Sequence, residues 1–143
     1  MTPENQKKAD YLRQYGECKA RAAELNDRLN ELILDASLPS AKLQDGMPHS
    51  HDSEHDLSDF AARCDKLWTE LRDEIAHEVQ LVSDINTAIA RMPNKREQRV
   101  LELRYISGKR WEQVAVDMDL EIRQVFRIHG SALAHFKIPR QCH

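Results

Sequence analysis

The chain has 143 residues, of which 31% are charged and 6% aromatic, with only four glycines. That balance suits long exposed helices rather than a sheet protein, and the length fits one domain, or a small domain with a helical arm. No apolar run is long enough to span a bilayer and Met1–Ala20 has no secretory pattern, so a soluble cytoplasmic protein is expected, with no membrane partner.

The net charge of −3 is unevenly placed. Residues 1–93 carry 11 Lys+Arg against 18 Asp+Glu, a net −7, and residues 94–143 carry 10 against 6, a net +4. The three cysteines, Cys18, Cys64 and Cys142, have no paired spacing. Cys18 and Cys64 fall on apolar helix faces, which reads as buried reduced thiols.

In chain order, residues 1–8 read as frayed, although Thr2-Pro3-Glu4 is able to open a helix. From Asp10, Tyr11, Tyr15, Cys18, Ala22, Leu25, Leu29 and Leu32 step alternately by four and three. This is a heptad seam with polar residues on the other faces, and so long a helix with so narrow a seam needs a partner helix. Residues 36–56 contain Pro39, Gly46 and Pro48 and few apolar residues, and read as a flexible loop. Within it His49, His51 and His55, with Asp52 and Asp56, are weak candidates for a transition metal. No second half-site with zinc-ligand spacing occurs, so a plain polar loop is preferred and no cofactor is expected. Ser58 reads as the N-cap of a second long helix with a seam of Ala61, Cys64, Trp68, Leu71, Ile75, Val82, Ile85, Ile89 and Met92. Val79 lies one position off that seam. Pro93 ends the helix. Two long helices with facing seams make an antiparallel hairpin, closed on itself or paired with another chain. Trp68, Tyr11 and Tyr15 are candidates either for core or for a protein interface.

Residues 95–136 read as three short helices. Lys95–Ile106, with Asn94 as a cap, is stopped by Ser107-Gly108, where glycine takes the left-handed conformation. A second helix starts near Trp111 and carries Val114, Ala115 and Met118. A third starts near Glu121 and carries Val125, Ile128, Ala132, Leu133 and Phe136 at helical spacing. Ala115 is small enough for two helices to cross closely, Leu120 can fill the gap between them, and Asp119 stands where a left-handed residue is needed. Two short helices joined by a tight turn, the second longer, form the helix-turn-helix pattern, which occurs both in DNA readers and in domains without DNA affinity. The expected fold is all-α: an antiparallel hairpin over residues 1–93, serving as an oligomerisation arm, followed by a three-helix head over residues 94–143.

The stretch LRYISGKRWEQVAVDMDLEIRQVFRIHGSALAHFKIP resembles the C-terminal module of a small family of phage and prophage proteins of unknown function. Their pattern runs roughly LRYI-G-x-x-W-x-x-[IV]-A-x-x-M, then RQV-[YF]-R-[IL]-H-G-x-AL. The module is similar to sigma-factor region four and to phage late-transcription activators of the RinA and ArpU kind. The resemblance covers about the last third of the chain and implies a DNA-binding transcriptional regulator in a bacterial host, with double-stranded DNA, RNA polymerase and further copies of the chain as partners. Asp119 and Glu121 stand where the family has glycine and serine, and Ser131 where it has a basic residue. Loss of the serine weakens the cap of the third helix, and both later changes reduce attraction to phosphate.

If the third helix enters a major groove, Glu121, Arg123, Gln124 and Arg127 face base edges, with arginine suited to guanine and glutamine to adenine. Lys109 and Arg110, ahead of the second helix, suit a phosphate. Arg96 and Arg99 extend the phosphate track, and Lys137 and Arg140 continue it. Arg104 is expected to pair with Glu112 or Asp117. His129 reads as partly buried or phosphate-facing. No phosphate loop, nucleophile elbow or metal dyad appears, so no catalytic residue is assigned and an enzyme is not expected. Three functions stay open: a phage-type regulator, a small-terminase-like DNA-packaging recognition subunit, and a protein-interaction adaptor without DNA binding.

Overall fold

A computed structural model describes residues 1–37 and 50–140, with nothing said of the side chains of residues 37 and 50–56. Every regular element among the described residues is a helix, with no strand among them. In order the helices are α1 (Pro3–Ser37), α2 (Ser50–Ala90), α3 (Lys95–Leu101), α4 (Trp111–Met118) and α5 (Ile122–His135). None of them is long and apolar enough to cross a membrane.

Two helix ends differ from the sequence reading. Residues 3–8 are helical rather than frayed. Thr2 Oγ1 accepts a hydrogen bond from Asn5 N at 3.2 Å, and Pro3 sits in the first turn, where its missing N–H costs nothing. The loop expected over residues 36–56 is narrower, because α1 runs to Ser37 and α2 already begins at Ser50, so Ser58 is not a cap. His49 lies outside the described residues, as do the side chains of His51 and His55.

The chain forms two compact units: Met1–Lys19 with His77–His143, and Ala20–Ala76. The first unit therefore takes in both helical segments beside the head. Its core joins Ala9, Tyr11, Leu12, Tyr15 and Cys18 of α1 and Leu81, Ile85, Ala88 and Ile89 of α2 to Met92, Leu101, Tyr105, Ala132, Leu133 and Phe136. Leu12 and Ala9 lie outside the predicted seam yet are fully buried, because this end of α1 packs on the head as well as on α2.

The second unit is an antiparallel pair. Ala22 and Leu29 of α1 pack with Leu71 of α2, with Leu25, Cys64 and Leu67 partly buried against them. Arg21 Nε lies 3.2 Å from Glu74 Oε1 across the pair. The α2 seam is offset from the predicted one: Leu67 faces α1, whereas Trp68 and Ile75 are 57% and 45% exposed. In the first unit Tyr11 and Tyr15 are core residues, only 7% and 8% exposed. Cys18 is buried and Cys64 partly buried, both as thiols.

Candidate nucleic-acid interface

The head is built on two caps and two left-handed turns. Asn94 Oδ1 accepts from Arg96 N at 2.9 Å and Glu97 N at 3.3 Å, which starts α3. The helix does not continue as an α-helix to Ile106. Residues 102–106 form a π-helical turn closed by Ser107 N donating to Glu102 O at 2.9 Å. Gly108, at φ 69°, then reverses the chain and lets Lys109 N reach Leu103 O at 3.0 Å. The wide turn places Tyr105 and Arg104 toward α4 and α5.

Between α4 and α5, Asp119 takes φ 54° and ψ 47°, the left-handed conformation that its position requires. Leu120 N donates to Ala115 O at 3.0 Å, and Leu120 packs with Trp111 and Met118 on a cluster of Leu103, Val114, Ala115 and Val125. Ala115 is buried where α4 meets Val125 of α5, and the two helices are joined by this tight left-handed turn.

Helix α5 is held on three sides. Its apolar face buries Val125, Ala132 and Leu133. From α3, Glu97, only 3% exposed, accepts from Ser131 Oγ at 2.6 Å and lies 2.9 Å from His135 Nδ1. From α1, Asn5 Nδ2 donates to Gly130 O at 3.3 Å and Lys8 Nζ to Ala134 O at 3.1 Å. The Ser131 hydroxyl thus serves a buried carboxylate. Nothing local in the sequence links residues 5 and 8 to 130 and 134, and only the fold brings them together.

A second network lies under the start of α5. Tyr105 Oη and His129 Nε2 share a hydrogen bond of 2.7 Å, and Trp111 stands edge-on to His129, with centroids 4.6 Å apart. Burial raises the Tyr105 hydroxyl above its usual range. Burial, with the charges of Arg104 and Arg13, pushes His129 down from 6.5 to about 4. His129 is therefore a neutral core residue, 6% exposed, and does not face phosphate. Arg104 pairs with neither expected carboxylate. Its guanidinium lies 4.5 Å over the Trp111 ring and donates to Lys109 O at 3.0 Å.

The N-terminal half of α5 is open. Glu121, Arg123, Gln124 and Arg127 are all exposed, and only Val125 turns inward. Arg123 and Arg127 stand one turn apart on one face, with no ion pair among the described residues. Gln124 is partly committed, because its Oε1 accepts from Glu121 N at 3.1 Å. That bond supplies a cap to α5 that the missing serine was expected to weaken.

The flanking cations divide. Lys109 is ion-paired with Asp117, whose carboxyl is held below its ordinary range by that hydrogen bond first and by Gln113 second. Arg99 lies 4.0 Å from Glu102. Arg96, Arg110, Lys137 and Arg140 are exposed, and Arg110 sits at the N-cap position of α4. Three apolar side chains also face outward here: Val116 at 72%, Phe126 at 47% and Ile122 at 38% exposure, with Phe126 edge-on to Trp111 at 5.3 Å. Comparison of the chain with protein-family models, curated proteins and solved structures found no match.

Proposed function

We propose that the chain is a DNA-binding transcriptional regulator of the phage and prophage type, reading a major groove with the N-terminal half of α5. The observation that carries this reading is the pair Arg123 and Arg127. Both are exposed, one turn apart, on the second helix of a helix-turn-helix whose left-handed turn is in place. Guanidinium groups on that half of a recognition helix suit the O6 and N7 acceptors of guanine. Arg110, Arg96 and Lys137 supply phosphate contacts, whereas Lys109, held by Asp117, contributes less.

Charge supports the same reading. The unit of residues 1–19 and 77–143 carries 15 Lys+Arg against 11 Asp+Glu, a net +4. A surface so mildly basic binds weakly as a single copy, and a bivalent assembly raises its affinity. The acidic remainder is left for assembly or for RNA polymerase.

The test is selection of bound sequences from random duplex DNA by the full chain. The reading expects one enriched motif, lost in Arg123→Ala and in Arg127→Ala while the circular dichroism stays helical. Absence of any enriched motif, or the same motif retained by both variants, contradicts it. A second reading, an adaptor that meets protein rather than DNA, is favoured by Val116, Ile122 and Phe126, whose exposed apolar surface suits a protein partner. It expects no enrichment and no salt dependence on duplex DNA.

A further inference from the structure

Helix α2 carries a second apolar stripe beside the one that faces α1. Leu57, Ala61, Trp68, Ile75 and Val79 lie about 70° round the helix from that seam, with successive steps of four, seven, seven and four residues. All are exposed, Leu57 to 66%, Trp68 to 57%, Ile75 to 45% and Val79 to 60%. A helix that shows one apolar face to its neighbour and a second to water is short of a partner.

The spacing of the second stripe is symmetric about Trp68. Ala61 and Ile75 lie equally far on either side of it, and so do Leu57 and Val79. A second copy of α2, laid antiparallel on a two-fold axis at Trp68, sets Ala61 against Ile75, Leu57 against Val79 and Trp68 against itself. At the Ala61–Ile75 contact a small residue meets a large one on either side of the axis, which favours close packing. Charge selects the same direction. Asp65 and Arg72 are both exposed and lie on one flank of the stripe, just before and just after Trp68. In the antiparallel pair Asp65 of each copy faces Arg72 of the other, twice over. A parallel pair in register puts this flank of the two copies on opposite sides of the interface, so neither Asp65 nor Arg72 meets its opposite charge.

We propose that the chain self-associates through this stripe as an antiparallel α2–α2 dimer centred on Trp68. The proposal is independent of DNA reading, and its test contains no nucleic acid. Sedimentation velocity of the full chain over a concentration series gives a dimer. Trp68→Lys weakens it by about 30-fold or more, the loss typical of a buried interface tryptophan, with helicity unchanged because Trp68 is exposed within one copy. Asp65→Arg and Arg72→Asp each weaken the dimer, and the double exchange restores it. A chain that stays monomeric throughout, a dimer indifferent to Trp68→Lys, or a double exchange no tighter than the single variants overturns the proposal.

Discussion

The two compact units of this chain bury their apolar residues by different means. Residues 1–19 and 77–143 gather side chains from α1, α2, α3, the π-helical turn and α5 into one core, with Leu12, Ile85, Ile89, Leu101, Leu133 and Phe136 fully enclosed. Residues 20–76 have one helix against one helix, and among the described residues only Ala22, Leu29 and Leu71 are buried. Charge divides the same way, with 6 Lys+Arg against 13 Asp+Glu in the second unit, a net −7, and +4 in the first. A core fed by several helices holds a surface rigidly enough to read a groove, whereas a two-helix pair gains most from a further partner.

The comparison is sharpened most by truncating one leucine in each unit. Leu133→Ala is expected to cost about 3–4 kcal/mol, since it leaves a cavity among fully buried neighbours. Leu29→Ala should cost about 2 kcal/mol, because Leu25 and Leu67 beside it are only partly buried and can close in. Denaturant unfolding measures both, and equal losses break the distinction between the units.

Next is the buried carboxylate. Glu97→Ala removes the acceptor for Ser131 and the partner of His135 and should lower stability by about 2 kcal/mol. Glu97→Gln should recover part of that loss, as an amide oxygen still accepts from Ser131. No loss in the alanine variant would mean that α3 and α5 are held by apolar packing alone.

Acid gives a comparable effect. With His129 at about 4 in the folded chain against 6.5 ordinarily, the unfolded chain binds the extra proton first as pH falls. Stability is therefore full above pH 6.5 and falls toward pH 4, by at most about 3 kcal/mol. His129→Gln should flatten that slope in thermal melts, and an unchanged slope would place the titration elsewhere.

The smallest effect concerns Tyr11, whose hydroxyl is buried without a hydrogen-bond partner among the described residues. Tyr11→Phe should leave stability unchanged or raise it by up to about 1 kcal/mol. A clear loss would show that the hydroxyl is satisfied in solution.

Much of this was legible in the residues. The stops at Gly108 and Asp119, the crossing at Ala115, the plug at Leu120 and the apolar face of α5 follow from local rules of backbone conformation and helical period. What those rules missed depends on contacts distant in sequence. The helix phase of α2 was misread because it carries two apolar stripes, and periodicity alone merges Trp68 and Ile75 with Leu71. Glu97 carries no local signal, and His129 reads as either partly buried or phosphate-facing, because their partners Ser131, His135 and Tyr105 lie on other elements or distant in sequence. The docking of Asn5 and Lys8 on α5 has no local signal at all.

The measurement that bears most directly on the account is fluorescence anisotropy of the full chain on a duplex carrying its selected motif and on a scrambled duplex, across a salt series. The account predicts that the wild type prefers the motif by at least about 10³-fold. Arg127→Ala should bring the two duplexes close to equal affinity, and Arg110→Ala should weaken both alike and reduce the salt slope by about 1. Undiminished preference for the motif in Arg127→Ala and Arg123→Ala, or no preference in the wild type, would contradict the assignment of α5 as the reading helix.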